Sequence, residues 1–430
     1  MKQKPYNNIP SLLTQAVRTA LLAGMILQGP TAFAASTDNN KDSNSLAAII
    51  SGNGQVLTYT HIANSANGFP EVFVHHLSTG KNTRVSVTPD GKRADGGSNL
   101  SSISNNGRYV AFDSQATNLV SGDSNSVTDI FVRDLKTRKT ERISIASDGV
   151  QANADSSLAA ISPDGRYVAF SSTASNLVKN DGNGAAADIF VHDRNSHETT
   201  RITSSDGIES DGQDEYPVIS EGGRFVAFTS TATHLVPGDT NNMPDIFVHD
   251  RETGETTRVS VASDGAEGNA PSLIAALSRD GRYITFTSMA SNLVPDDTNN
   301  SWDAFVHDRK THQTTRISVA SNGTEGNADS KLPVISANGK IAAFVSQADN
   351  LVKDDTNGKA DVFIHNLKSH RTTRLTTSFD GTNANGDSGY PSISDNGRFV
   401  AIESYATNLI PNDTADDRPD TFVANLRAKP

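Results

Sequence analysis

Apolar and polar residues alternate along this chain in short runs, and the runs return at a fixed interval. Residues 160–203, AISPDGRYVAFSSTASNLVKNDGNGAAADIFVHDRNSHETTRIT, hold one cycle. A short apolar run ends at Pro163-Asp164-Gly165, a tight-turn tripeptide whose glycine supplies positive φ. Residues 166–171 alternate Tyr and Ala with Val and Phe, a period of two that predicts a half-buried strand. A long polar stretch follows at 173–187. Residues 188–193, DIFVHD, are rich in β-branched and aromatic side chains and predict a third strand. A turn at 195–198 leads to TTRIT, a fourth strand.

The turn glycine recurs at Gly54, Gly107, Gly165, Gly223, Gly281, Gly339 and Gly397, an interval of 53 once and then 58 five times. Four antiparallel strands per unit and seven units predict an all-β, seven-bladed propeller of about 58-residue repeats rather than a sandwich. Phe112, Phe170, Phe228, Phe286 and Phe344 hold one position of the second strand and read as packing between blades. Burying one such side chain is worth roughly 1.5–3 kcal/mol. Leu119, Leu177, Leu235, Leu293, Leu351 and Leu409 are placed to pin the long loop.

The ends of the array differ from its middle. The first repeat is the most degenerate, as terminal repeats are. The fourth strand of the third unit ends at Thr203, 38 residues after Gly165, and the matching point after Gly397 is 435, beyond Pro430. The last blade is therefore expected to be three-stranded. Its closure is expected from packing of Val400, Ile402 and Phe422 on Ile50, Leu57 and Val72, with residues 36–45 a loose polar tail.

Residues 1–34 read as a secretory signal: Lys2, Lys4 and Arg18, an apolar run at 19–27, and an A-x-A site at Ala32-Phe33-Ala34. Residues 35–45 form a polar, disordered lead-in and 46–430 the propeller. No later stretch is apolar enough to span a membrane, so the mature chain is expected in the periplasm or outside the cell. The chain has no cysteine, which excludes disulfides, thiolate nucleophiles and zinc–thiolate sites. A net charge of −12 disfavours nucleic acid and anionic lipid and permits cations or basic partners. A monomer is expected.

The hairpin ISPDGRYVAF, followed by DIFVHD and a TTRIT-type strand, resembles the WD-like propeller repeats of the TolB type, from Ala47 to Leu426. The resemblance implies an exported bacterial propeller that serves as a binding platform. TolB carries an α/β domain ahead of its propeller, where this chain has a signal and a short polar tail.

Strand direction places the long second-to-third loops and the blade-to-blade links on one face and the tight turns on the other. Function on such a scaffold is carried by loops. The loops repeat D-x-N with a following Asp: Asp123, Asn125 and Asp129; Asp181, Asn183 and Asp188; Asp239, Asn241 and Asp245; Asp297, Asn299 and Asp303; Asp355, Asn357 and Asp361. Two readings stand: oxygen ligands for Ca2+, or Asx-turn capping of the backbone. Asp95, Asp155, Asp214, Asp329 and Asp387, with Glu215, stand at or near inner strands. They read either as a carboxylate ring at the channel mouth, open to cations and basic groups, or as solvated turn residues. His192, His249, His307 and His365 lie too far apart on the ring to share an ion and read as packing. The motifs G-x-S-x-G and H-E-x-x-H and a P-loop are absent. The function expected is a non-catalytic platform for a protein, peptide or glycan. The alternative is an exported hydrolase or lyase acting on glycans or peptides, for which Asp214-Glu215-Tyr216 is the best break in repeat symmetry.

Overall fold

The computed structural model describes residues 32–35, 43–63, 68–179, 181–184, 186–205, 208–411, 413 and 419–426. Seven antiparallel four-stranded sheets make up the fold, with a two-stranded ribbon, Ser204–Ser205 and Ile208–Glu209, between the third and fourth. Neighbouring sheets pack through their inner strands, and Ser43–Ile50 of the first meets Phe399–Ser404 of the last, so the ring closes. The chain is the seven-bladed propeller that the repeat predicts. The described residues contain one 3-10 turn, Glu221–Gly223, and no helix long and apolar enough to cross a membrane.

The third blade shows how alternation builds a seam. Its strands are Ser156–Ile161, Tyr167–Ser172, Asp188–Asp193 and Glu198–Arg201. Phe170 and Phe190 stand opposite each other in register, and their rings stack at 5.8 Å. Both face the second blade, among Ala111, Ile130, Val132 and Ile143. The alternate residues Ala169, Ile189 and Val191 face the fourth blade, against Val226, Phe228 and Phe247. A period of two thus supplies both neighbours at once. The loop leucines are buried as expected, from Leu119 to Leu409.

The tight face is closed by rings and glycines. Gly165 has φ +78°, and a Cβ there would stand 2.4 Å from the Tyr109 ring of the blade before. Only glycine serves both the turn and that approach. The same ring lies between two guanidinium groups, Arg108 of its own blade at 4.6 Å and Arg194 of the next at 4.3 Å.

Each inner strand carries a bulge. In the second to seventh blades its third residue adopts positive φ, as Leu158 does at 58°, Tyr216 at 55°, Ile274 at 53°, Leu332 at 54° and Tyr390 at 48°, and in the longer first strand Ala47 does at 55°. Such a conformation costs an L-residue about 1–2 kcal/mol. The preceding blade caps several of these positions: Ile274 N–H donates to Thr229 Oγ1 at 3.3 Å and Leu332 N–H to Thr287 Oγ1 at 3.1 Å.

The closing seam corrects three expectations. The last repeat supplies three strands of its own, Ser388–Ile393, Phe399–Ser404 and Asp420–Asn425, as expected. Its outer edge is nonetheless paired: Ala32–Ala35 runs antiparallel to it, from Ala32 opposite Asn425 to Ala35 opposite Phe422. Residues 36–42 of the tail lie outside the described residues, and Ser43–Ser45 are not loose but open the first inner strand, opposite Ala63, Ile62 and His61. The packing set is also shifted by one residue. Ala401 and Val423 meet Ile50 and Leu57, while Val400, Ile402 and Phe422 face the sixth blade and Val72 faces the second. Successive side chains point to opposite faces, so choosing the alternate residue on a strand selects the wrong neighbour.

Candidate functional site

The D-x-N loops are built around an arginine that the sequence reading left out. In the fourth blade, Arg258 on the outer strand places Nη1 3.2 Å from Asp239, 3.4 Å from Asp245 and 2.5 Å from Glu267. Its Nη2 donates to Gly238 O at 3.1 Å. Asn241 Nδ2 donates to Asp245 Oδ2 and to Gly268 O, both at 3.0 Å, tying the loop to the blade link. Ser260 Oγ donates to the other oxygen of Asp245 at 2.5 Å. The arrangement repeats with Arg316 on Asp297, Asp303 and Glu325, and with Asn299 on Asp303. Arg201 joins Asp181, Asp188 and Glu209. Arg142 joins Asp123 and Asp129, and Arg374 joins Asp355 and Asp361. Asn125, Asn183 and Asn357 each donate to the strand Asp of their blade.

Each clamp ties its loop to the third strand and to the blade link through an arginine and an asparagine. Oxygens of Asp239, Asp245 and Glu267 lie within 4.8 Å of one another, a set that a metal ion would also use. Nη1 of Arg258 already lies within 3.4 Å of all three. Burial, opposed by Arg258, raises the Asp239 carboxyl to about 6. The arginine recurs in the outer strand with the period of the loop, so the signal was present in the sequence.

The set proposed for the channel mouth falls into three structural positions. Asp155, Asp329 and Asp387 are equivalent: each accepts a backbone N–H from the loop before the third strand, of Thr128, Trp302 and Ala360. Asp95 caps a different loop, accepting from Thr117 N–H at 2.8 Å and its hydroxyl at 2.9 Å. Asp214 opens its inner strand, where the second, third, fifth, sixth and seventh blades have Ser98, Ser156, Ser272, Ser330 and Ser388. Those serines bond a serine opposite, whereas Asp214 is wholly buried opposite Ser230, beside the hydroxyls of Ser210 and Thr203. It cannot stand at a solvent-facing mouth, because its side chain points into the blade. Glu215, next in the strand, is exposed. The histidines pack as expected: His192 Nδ1 lies 2.8 Å from Thr199 Oγ1, and burial drops its pKa to about 4.

Three carboxyls stand out by environment. Burial raises Asp113, Asp214 and Glu403 each to about 7. Glu403 has a defined task, for its Oε1 accepts from Ala47 N–H at 2.5 Å across the closing seam. At the tight-face mouth of the channel, Arg279 bridges Asp395 of the seventh blade and Glu221 of the fourth.

The two faces differ in apolar exposure. Phe69, Val150, Ile208, Met243, Phe379, Tyr390 and Tyr405 are the exposed large hydrophobic residues among those described. All belong to second-to-third loops, blade links or strand ends on the loop face. Tyr390 and Tyr405, on the seventh blade, are 43% and 44% exposed, and the Glu403 charge raises the pKa of both after burial does.

No family model and no curated protein matches this chain. Solved structures do. An oligogalacturonate lyase in complex with manganese is 12% identical, covers 96% of each chain and has a TM-score of 0.54. An acylaminoacyl peptidase in complex with a chloromethyl ketone is 10% identical over 90% of this chain and 51% of its own, at 0.55. TolB from Acinetobacter baumannii is 15% identical over 88% and 79%, at 0.41. The likenesses to the lyase and the peptidase show a shared fold, and a fold shared at so low an identity does not choose a function.

Proposed function

We propose that the chain is an exported, non-catalytic platform that binds a protein, peptide or glycan through its loop face. One observation carries this reading: the exposed large apolar side chains gather on the loop face, while the D-x-N acids of that face are spent on internal clamps. Exposed aromatic clusters on a soluble protein mark binding surfaces, and aromatic residues anchor interfaces. Tyr390 and Tyr405 are two aromatic members of that surface near each other on one blade. Export rests on the signal-like residues 1–34, and intact mass of secreted material tests it.

The binding test sets the chain against glycan and peptide arrays beside two variants. Tyr390→Ala/Tyr405→Ala is expected to lose the captured ligand, and Asn338→Ala on the tight face to keep it. Equal binding by both variants would overturn the reading. An enzyme is the second reading, and the carboxyls Asp113, Asp214 and Glu403 near neutrality favour it, since perturbed acids gather at active sites. Their burial between strands and blades argues for structural use. Turnover on a glycan and peptide panel that Asp214→Asn abolishes without unfolding would establish catalysis.

A further inference from the structure

The repeats allow each surface groove to be compared with its copies in the same molecule. One groove departs from the others in charge. It lies on the rim of the loop face at the sixth blade, has a volume of about 660 Å³, and is lined by the link before that blade, its long loop and its outer strand. That volume is in the range of small-ligand sites. Three positions decide its charge: Asn322, Lys353 and Arg371.

Equivalence of the copies is fixed by hydrogen bonds. Thr372 N–H donates to Ser321 Oγ at 3.0 Å, as Thr199 N–H does to Ser147 and Thr314 N–H to Ser263, also at 3.0 Å. The residues matching Asn322, Lys353 and Arg371 are therefore Asp148, Lys179 and Glu198 in the third blade, and Asp264, Pro295 and Gln313 in the fifth. The second blade has Asp90, Ser121 and Lys139. Formal charge at these positions is −1 in the third blade (one Lys against Asp and Glu), −1 in the fifth (Asp alone), 0 in the second, and +2 in the sixth (Lys and Arg with no acid). The acid of the link has become an amide, and the outer strand has gained a guanidinium.

Both cations are free to act. Arg374, which also lines the groove, is committed to Asp355 and Asp361. Lys353 and Arg371 are exposed and hold no carboxylate among the described residues, and no carboxylate lines the groove. Thr373 and Asn350 line the groove as well, Asn350 holding the link through its bond to Glu325 O. In a chain of net charge −12 such a concentration of positive charge runs against the field of the rest. Lysine offers a point charge and arginine a planar fork, a pair suited to phosphate or carboxylate oxygens.

We propose that this groove on the sixth blade binds a ligand bearing two or more oxyanionic groups, held between Lys353 and Arg371. It goes beyond the platform reading and does not depend on it, since Tyr390 and Tyr405 lie on another blade.

Calorimetric titration of the full chain at low salt tests it with two probes, inorganic pyrophosphate and a short polyuronate, and a neutral oligosaccharide as control. One equivalent of at least one anionic probe is expected to bind, weakening as salt is added. The probe that binds tells phosphate from carboxylate. Arg371→Glu installs the residue type that the third and fourth blades carry there as Glu198 and Glu255, so folding is not at issue. It is expected to weaken binding by about tenfold or more, the equivalent of one decade in Kd. Lys310→Glu, the same charge change on the tight face, is expected to leave binding unchanged. Asp148→Asn/Glu198→Arg, which copies the sixth-blade charges beside Lys179, is expected to add a second equivalent. No saturable binding of either anion, or equal weakening by Arg371→Glu and Lys310→Glu, would overturn the proposal.

Discussion

The seam between the third and fourth blades and the seam between the seventh and first do the same job by different means. The first is apolar: Ile189, Val191 and Ile202 interlock with Val226, Phe228 and Phe247. At the second, the buried apolar set among the described residues is Ile50, Leu57, Ala401 and Val423, with Leu77 and Phe399 packed partly buried against it. Polar links stand beside it, of kinds that other seams share, such as Ile161 N–H to Ser102 Oγ and Asn105 N–H to Pro163 O, with Glu403 peculiar to this one. Asp395 N–H donates to Gly52 O at 2.9 Å, Ile50 N–H to Ser392 Oγ at 3.0 Å, and Ala47 N–H to Glu403 at 2.5 Å. A Cβ at Gly52 would meet the Asp395 carboxyl at 2.5 Å, so a larger residue there would have to displace that side chain. A ring gains from a seam that can be formed last, and hydrogen bonds specify register where apolar contact is thin. The cost is sensitivity to protonation.

The widest difference is expected from truncation of the apolar seam. Phe228→Ala should cost about 3–5 kcal/mol, the usual loss for a fully buried phenylalanine. Val423→Ala, at the closing seam, should cost only about 1–2 kcal/mol by loss of buried methyl groups. Denaturant unfolding of the two variants measures both, and equal losses would erase the contrast between the seams.

Protonation comes next. The Glu403 carboxyl is raised to about 7 in the fold, above its unfolded value, so folding favours its protonated form. Its contribution is complete below the unfolded pKa, near 4.3, and is lost as pH rises through about 7. A shift of that size corresponds to roughly 3 kcal/mol between the two ends of the window. Glu403→Gln keeps an acceptor for Ala47 N–H and should flatten this part of the stability profile between pH 4.5 and 8. An unchanged profile would assign the effect to Asp113 and Asp214, whose shifts have the same sign.

Arg279 tests whether the closing seam draws on the rest of the ring. Its side chain is partly exposed, and so are those of Asp395 and Glu221, so the network is worth little beyond the about 1 kcal/mol of a surface pair. Arg279→Met should lower stability by that amount at low salt and by less at high salt. A salt-independent loss would mean that packing, not charge, carries the bridge.

Much of this molecule is legible in its sequence because each blade repeats the same local reasoning. Gly165 marks the turn, Phe170 the seam and Leu177 the loop anchor, and the structure places each where the pattern puts it. What escaped was relational. Whether Val400 or Ala401 meets the first blade depends on which face of a strand points around the ring, and alternation alone leaves that sign open. Arg258 lies on the outer strand and Asp239 in the long loop, so reading the loop motif by itself missed its counter-ion. Ala32–Ala35 reads as a cleavage site, and its pairing with Asp420–Asn425 depends on where the far end of the chain arrives. Cleavage after Ala34 would remove three of those four residues. Each net backbone hydrogen bond adds about 0.5–1.5 kcal/mol, offset by about 1–2 kcal/mol of ordering per residue. A chain beginning at Ser43 should therefore melt within a few degrees of one beginning at Ala32.

The smallest effect expected is none, and it bears on both seams. If calcium held the D-x-N loops, chelation would loosen the second to sixth blades, where the loop motif recurs, and leave the closing seam untouched. The structure puts Arg142, Arg201, Arg258, Arg316 and Arg374 among those carboxylates instead. A ligand that stabilises the fold must bind it in preference to the unfolded chain, and its removal must lower the melting temperature. EDTA and added calcium should therefore leave the wild-type melting temperature unchanged. Arg258→Gln leaves Asp239, Asp245 and Glu267 without their cation, a loss of about 3–5 kcal/mol by the measure of other broken buried pairs. The vacated oxygens then form a set that a divalent ion can enter, so added calcium should raise the melting temperature of this variant alone. A calcium response in the wild type that matches or exceeds that of Arg258→Gln would return the loops to the metal-binding reading.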